Sequence, residues 1–501
     1  MFDYSSFVSE RKSLLVAPAG YGKTYTLAEC IKYTPNEGVQ LILTHTHAGI
    51  ASIKERIKQQ KIPSSKYHLE TITGFAQKYV NAFYCGTDSP AQEDSNVYYP
   101  FIVKQAIELF KRDSVLRVIS NTYSGLFVDE YQDCTKSQHL MIMELSKVLL
   151  THILGDSLQG IMDFGAEQLV DFDKDLNDFV RFPDLETPYR WSQKGNNNNL
   201  GKALKEIRAE LLKEGQKTID LKKYGNDILH CVKVNEISDI NDKNSLYRKG
   251  LLRLINNPFN VPAYENLLII VPEYSENKVP KGDVRHRADL RTKIDYSNQL
   301  ILLEAFDDKS FYSISSNIDY IIKSYEKLRY VNKHIIEDII EKLYYSSCVS
   351  DWFNYLFEPK KKLKDYKEKS IELKQLFDKC VTKPTNQNIL DLLAFLKDDL
   401  KFKYKRPELL FSILRTLKNS IIENISVNES MISYKNIVRR VGRKIGGKCI
   451  GTTLLTKGLE FDTVAIIEAD KFESAKHLYV ALTRASKKLI IFSQNDVLTL
   501  N

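Results

Sequence analysis

Two short stretches hold residue types whose spacing could do chemistry. The first, "LFVDEYQDCTKSQ" (126–138), runs an apolar strand-former into two adjacent carboxylates, Asp129 and Glu130. A third, Asp133, follows Tyr131 and Gln132. Adjacent carboxylates repel, and keeping both ionised at a buried strand tip is costly unless positive charge is supplied. The second stretch, "APAGYGKT", comprises Ala17, Pro18, Ala19, Gly20, Tyr21, Gly22, Lys23 and Thr24. Glycines ahead of a Lys-Thr pair, between a strand and a helix, suit a phosphate cradle. Backbone N–H groups approach the phosphates, Lys23 pairs with the β and γ oxygens, and Thr24 holds Mg2+. A Gly-rich turn without ligand has the same composition. With a cradle present, Asp129 is expected to hold Mg2+, directly or through water, and Glu130 to polarise the attacking water. A solvated acidic turn accounts for the charge but not for the apolar strand leading into it.

These residues need a scaffold, and the flanking sequence predicts one. "SLLV" (13–16), "QLILTHT" (40–46), "GLFVDE" (125–130) and "HILGD" (152–156) read as strands, with helical sequence at 23 onward and in "ASIKERIKQQ" (51–60). Alternating strands and helices imply a parallel sheet covered on both faces. "LGKALKEIRAELLKE" (200–214) is helical, and "NNNN" (196–199) is expected to be a loop. Strand character returns at "ENLLIIVPE" (265–273), "KCIGTTLL" (448–455) and "TVAIIEA" (463–469). Between them, 315–435 is mostly helical in pattern. Ile335, Ile336, Ile339, Ile340 and Leu343 share one helical face, as do Leu414, Leu417, Ile421 and Ile425. A helical block is therefore expected inside a second α/β domain.

At 501 residues the chain is too long for one core. Its net charge of +8 is compatible with a polyanionic partner such as nucleic acid. Cysteines 30, 85, 134, 231, 348, 380 and 449 lack zinc or iron–sulfur spacing, and their odd, scattered set fits a cytoplasmic protein. The N-terminus lacks the order of a signal peptide, and no apolar run reaches membrane-spanning length.

The two stretches, with others in a fixed order, resemble the UvrD/Rep/PcrA branch of superfamily 1 DNA helicases. "APAGYGKT" and "DEYQD" followed by Gln138 are similar to that branch's motifs I and II. "LTHTHAGIASIKERI" (43–57) resembles motif Ia and "TITGF" (71–75) motif Ib. "GDSLQGIMDFGA" (155–166) resembles III, "LETPYRWS" (185–192) IV, "TTLLTKGLEFDTV" (452–464) V and "YVALTRA" (479–485) VI. The resemblance implies an α/β chain with two RecA-like P-loop NTPase domains, their parallel sheets flanked by helices. The first would cover 1–190, with a small helical insertion at about 80–122. The second would cover 191–275 and 446–501, interrupted by a mostly helical subdomain at 276–445. It further implies roles: Gln159 senses the γ-phosphate, Tyr189 stacks on adenine, Arg190 and Arg484 are arginine fingers, and Glu460 contacts the ribose. ATP and Mg2+ would be the cofactors. Thr44, His45, Thr46, Thr71, Thr73, Phe164 and Thr452 would face DNA.

The chain also departs from the family pattern. No glutamine precedes Gln40, where the family carries one upstream of motif I to read adenine. His45 replaces a common base-stacker, and Leu454 a typical histidine. Met162 and Gly165 flank Phe164 where tyrosine and arginine are usual. The ATP-facing positions are kept and the DNA-facing ones drift. Two readings follow. One is an ATP-dependent helicase or translocase on single-stranded DNA, or on duplex with a single-stranded end, running 3′ to 5′ by resemblance. The other is a DNA-stimulated ATPase subunit that licenses a partner without processive unwinding. The reduced insertions resemble the GajB-like subunits of Gabija-type anti-phage systems, whose partner is an OLD-type nuclease. A small-molecule phosphotransferase would give no reason for "DEYQD" or for Arg484. Basic clusters at 359–369, 401–407 and 439–448 are candidate strand contacts, the second with interleaved aromatics; a solvated helix face is the plainer reading of the first.

Overall fold

Continuous apolar runs build the middle of the first sheet. Its strands are β1 (Lys12–Val16), β2 (Val39–Thr44), β3 (Tyr67–Thr71), β4 (Tyr123–Val128), β5 (Leu150–Gly155) and β6 (Val180–Phe182), in the order β3-β2-β4-β5-β1-β6. Every pairing is parallel. The computed structural model describes all residues except 1, 36, 91–93, 163–166, 195–196, 226, 235–245, 257–265, 274–290, 292–299, 304–307, 442–445 and 501.

Alternation along each strand sends neighbours to opposite faces. Leu14, Val16, Leu41, Leu43, Leu126 and Val128 enter one core, against helices Ile72–Phe83, Ser95–Phe110, Asp113–Thr122 and Lys136–Leu145. Leu15, Ala17, Ile42, Phe127 and Leu154 enter the other, against helices Tyr4–Ser9, Lys23–Tyr33 and His47–Gln59. Burial on both faces is why these strands lack polar alternation.

Further along the chain come β7 (Lys217–Asp220), β8 (His230–Lys233), β9 (Leu267–Val271), β10 (Ile301–Leu302), β11 (Lys448–Thr452), β12 (Phe461–Ile466), β13 (Ala485–Ser493) and β14 (Val497–Leu500). A second parallel sheet runs β11-β9-β12-β13-β8, and β14 pairs antiparallel with β7. Two parallel sheets flanked by helices are the two RecA-like domains that the motif order implies.

The chain divides into two units, 1–282 with 442–501, and 283–441. The first holds both sheets. The second is helical, with one core built from Phe311, Ile314, Ile336, Ile340, Leu393, Leu410 and Leu417, among others. Ile336, Ile339, Ile340 and Leu343 are buried there as the pattern predicts, with Ile335 partly so. Ile421 is exposed, and Ile425 lies beyond the Pro407–Glu423 helix, which ends at a left-handed Asn424. The buried stripe instead passes through Ile413, Leu417 and Ser420. In the 401–407 cluster the interleaved aromatics turn inward. Phe402 is buried edge-on to Tyr344, and Arg406 pairs with Asp308 at 3.2 Å. That cluster is core and ion pair rather than a stacking platform. The expected Asn-rich loop is also shorter than its composition suggests. Asn197 caps the Asn198–Leu211 helix by accepting from the Leu200 N–H, so the last two asparagines of the four are helical. Asparagine is among the best N-caps, which is why the run starts a helix.

Candidate active site

Three adjacent strands of the first sheet deliver their carboxyl ends to one place. β1 leads into Ala17–Thr24, β4 into Asp129 and Glu130, and β5 into Asp156–Gln159. This is where open parallel sheets gather ligands. Gly20 and Gly22 take left-handed backbone, with φ of 78° and 88°. Gly20 is needed for a second reason, since a Cβ there would lie 2.7 Å from Trp191 Cζ3. Gly20→Ala is therefore expected to cost about 1–3 kcal/mol through backbone strain alone. Urea unfolding of variant and wild type checks this, and an unchanged midpoint would contradict the geometry.

Lys23 opens the following helix and is buried. Its Nζ lies 2.7 Å from Glu130 Oε2 and 3.6 Å from Asp129 Oδ1. Burial disfavours its charge, but Glu130 and Asp129 outweigh burial and hold its pKa above the ordinary value. The ion pair is one of proximity. Among the described residues, Lys23 Nζ has no partner in hydrogen-bond geometry. A buried ammonium with N–H groups to spare fits a phosphate ligand.

Glu130 itself is left-handed, with φ 56° and ψ 38°, two residues past the end of β4. Its N–H donates to Asp129 Oδ1 at 2.9 Å, and its carboxylate accepts from Gln132 Nε2. Burial lifts the Asp129 carboxyl above its usual range although Lys23 pulls against it. Burial acts likewise on Glu130, but Lys23 and Lys457 prevail and hold it below its range. Among the described residues no group of three or more His, Cys, Asp or Glu could hold a metal by itself. Mg2+ does not require one, because it takes one or two carboxylates together with substrate phosphates and water. Asp129 and the half-buried Thr24 hydroxyl fit that donor set.

The second sheet closes over this pocket. Arg484, just before β13, is buried, and its guanidinium is held from several sides. Nε donates to Val480 O at 2.9 Å, Nη1 to Leu459 O at 3.1 Å, and Nη2 to Gln159 Oε1 at 3.3 Å. Burial, and then the nearby Arg190, push its pKa down to about 10. Arg190 pairs with Glu460 (Nη2 to Oε1, 2.6 Å), and its N–H donates to Gly20 O at 3.0 Å. Tyr189 lies over Gly22.

Two segments of the chain match known family models. Residues 78–179 match the model of the UvrD/REP helicase N-terminal domain, and 450–492 that of the UvrD-like helicase C-terminal domain. These two segments match UvrD-like helicase domains. Among solved structures, an arterivirus nonstructural protein 10 (helicase) complex with DNA is 15% identical over 41% of this chain and 42% of that one, with a TM-score of 0.24. A crystal structure of arterivirus nonstructural protein 10 (helicase) is 10% identical over 98% of this chain and 60% of that one, with a TM-score of 0.30. The chain thus spans less than two thirds of either. No curated protein matches it.

Around this UvrD-like site lie residues that no role had been assigned. Asp156 is wholly buried. It accepts from Ala19 N at 3.1 Å, Gln159 Nε2 at 3.0 Å and Arg208 Nη1 at 2.6 Å. Tyr479 accepts from the same Ala19 N–H at 3.3 Å, and the Arg208 guanidinium lies 5.4 Å from the centre of its ring. Lys457 binds Asp133 and the Gln159 carbonyl. Trp191 donates Nε1–H to Ala485 O at 2.9 Å. Asp133, Asp156, Trp191, Lys457 and Tyr479 all sit within the quoted motifs, so position could have flagged them. Arg208 lies in an ordinary amphipathic helix and carried no signal.

The predicted DNA-facing residues are less uniform. Thr44 is wholly buried, so it presents no surface to a strand in this structure. Thr71 and Thr452 are also buried, and the Thr71 hydroxyl caps a helix by accepting from Gly74 N. The reason is local: each is the last residue of a strand, and Thr71 and Thr452 also sit at the N-cap of the helix that follows. Thr46 caps the His47–Gln59 helix and is half-buried, as is Thr73. His45 retains some solvent access. Its Nε2 meets Cys134 Sγ at 3.3 Å, and burial together with Lys457 drives its pKa down to about 3, so the ring is neutral. Phe164 lies outside the described residues. Among the described residues no helix is long and apolar enough to cross a membrane.

Proposed function

We propose that this chain hydrolyses ATP with Mg2+ between its two RecA-like domains and uses the cycle to move along single-stranded DNA, 3′ to 5′. The observation that carries the reading is the 3.3 Å contact between Arg484 and Gln159. It joins the second sheet to the loop beside Lys23 and Glu130. A site shared by two domains opens and closes with the state of the nucleotide. Lys23 and the loop amides bind phosphates, Asp129 and Thr24 hold Mg2+, Glu130 orients water, and Arg190 and Arg484 neutralise the charge that develops.

A second reading has its own support in the enclosed hydroxyls of Thr44, Thr71 and Thr452. In it the chain is a DNA-stimulated ATPase subunit that acts on a protein partner instead of unwinding. Steady-state ATP hydrolysis with and without single-stranded DNA, with Glu130→Gln as the blank, tests the proposal. Strand displacement by the chain alone then separates the readings. Hydrolysis that DNA does not stimulate would rule out both.

A further inference from the structure

Arg208 lies on the apolar side of its helix, sharing the buried face of Asn198–Leu211 with Leu200, Leu204, Ile207 and Leu211. A cation in that row costs free energy unless it is paired. Its partner is Asp156, at the exit of β5: Arg208 Nη1 lies 2.6 Å from Asp156 Oδ1, with the two side chains 10% and 0% exposed. A buried ion pair adds little stability over an apolar pair of the same volume, so stability alone gives no strong reason for this one. What sets it apart is the company Asp156 keeps. An ionised carboxylate offers roughly four acceptor positions, and four donors fill them here. Oδ1 accepts from Arg208 and from the Leu158 N–H at 3.3 Å. Oδ2 accepts from Gln159 Nε2 at 3.0 Å and from the Ala19 N–H at 3.1 Å. The Asp156 N–H in turn donates to Gln132 Oε1 at 2.9 Å, and Gln132 Nε2 donates to the Glu130 carboxylate. One carboxylate thus touches the phosphate loop, the side chain of Gln159 and, through a single amide, Glu130. Arg208 is the one charged donor of its four.

We infer that Arg208 is a positioning residue for ATP hydrolysis: by fixing and neutralising Asp156 it holds the phosphate loop at Ala19, the Gln159 side chain and, through Gln132, the Glu130 carboxylate in register with one another. This role rests on the proposed ATP site and adds to it a residue from outside the phosphate loop and the quoted motifs. A buried carboxylate keeps its charge only beside a cation. Once protonated it carries a hydrogen on one oxygen and no longer accepts there, so a bond to Ala19, Leu158 or Gln159 is lost. Lys23 also feels the charge of Asp156, but it is paired with Glu130 at 2.7 Å and faces the phosphates. Arg208 is left as the cation bonded to Asp156. Reacting groups have to be held within about 0.5 Å of their working geometry, and a displacement near 1 Å costs about 10²-fold in rate. The contact also reaches across the site. Asp156 follows β5 of the first sheet, whereas the Arg208 helix packs on β7 and on the Ala475–Leu482 helix, which carries Tyr479. The register is therefore complete only while the elements on the second sheet's side stay seated on the first.

ATP turnover by the full chain with Mg2+ and single-stranded DNA, measured beside titration of the same samples with a fluorescent ATP analogue, tests this. Arg208→Ala should lower kcat by about 10²-fold. It should still bind one analogue per chain, with a Kd within about fivefold of wild type, because the groups it misplaces matter most in the transition state. Arg208→Lys keeps a cation that donates to Asp156 and should return to within about tenfold of the wild-type rate. Arg208→Gln keeps a donor without the charge and should fall between the two. If Arg208→Ala fails to fold, the Lys and Gln variants carry the comparison, with Lys the faster at equal binding stoichiometry. A kcat for Arg208→Ala or Arg208→Gln within about threefold of wild type would overturn the inference. So would a binding stoichiometry that falls in step with the rate, since Arg208 would then serve folding only. Both results leave the ATP site standing. A wild type that hydrolyses no ATP sinks the proposed function, and the role of Arg208 with it.

Discussion

Arg484→Ala is expected to reduce ATP turnover by about 10³–10⁵-fold, the range associated with losing an arginine finger. The side chain is 2% exposed, and its cation is held at a fixed place beside Gln159 by the Val480 and Leu459 carbonyls. A charge held that way costs no reorganisation when negative charge develops on the transferring phosphoryl group. Its nearest described carboxylates are at some remove: Glu130 and Glu460 act on it only weakly, and burial prevails. The guanidinium is thus a poorly compensated cation, the condition in which an arriving polyphosphate gains most. The variant also takes the guanidinium donor from the Leu459 carbonyl, while the Val480 carbonyl keeps the Thr483 hydroxyl, so some loss of stability, about 1–3 kcal/mol, accompanies it. Nucleotide affinity separates the two effects. It should change far less than turnover, because the charge matters most in the transition state. Arg484→Lys keeps the charge but not the fork, and should recover only part of the rate. If Arg484→Ala hydrolyses ATP within tenfold of wild type, the hydrolytic site is not where these contacts put it.

Legibility in the sequence followed the kind of signal each feature leaves. The sheets were readable because strands buried on both faces are unbroken apolar runs, as in "LLV" of β1 and "LLIIV" of β9. Phosphate-loop geometry was readable because only glycine is at ease where Gly20 and Gly22 turn. Burial was harder to foresee. Thr44, Thr71 and Thr452 are polar and sit in motif positions, yet all three close strand ends inside the fold. A threonine serves equally as cap, core filler or phosphate ligand, and composition does not choose among them. Ile421 failed for a related reason: the helical period was right, but the buried stripe leaves the helix through Ser420 and puts Ile421 beside it on the solvent side. Arg208 was invisible, since its partner Asp156 is 52 residues away and nothing local marks a cation in an amphipathic helix as buried. The OLD-type nuclease partner suggested by the reduced insertions finds no support in the comparisons.

Lys457→Met is expected to destabilise the unit holding both sheets by about 3–5 kcal/mol, the cost of removing one member of a buried ion pair. Its ammonium and the Asp133 carboxylate have side chains only 7% and 1% exposed. Burial lowers the Lys457 pKa in spite of Asp133, and raises that of Asp133 to about 6 in spite of Lys457. Both shifts say that desolvation exceeds the mutual attraction. The pair is therefore weak evidence of net stability, and a matched neutral replacement should be tolerated. Lys457→Met combined with Asp133→Asn should recover most of the loss in urea unfolding. A pH series adds an independent readout. The folded Asp133 carboxyl titrates above its unfolded value of 3.8, so its contribution is fully present below that value and is lost as pH rises through about 6. Wild type should thus gain stability relative to the double variant as pH falls across that window. The functional consequence is separate. Lys457 also helps keep Glu130 ionised, and it anchors the Gln159 carbonyl. A double variant that folds well but hydrolyses ATP slowly would identify the pair as a device for positioning Glu130 and Gln159. A double variant as unstable as Lys457→Met alone would contradict the premise that the unpaired buried charge is what costs the single variant its stability.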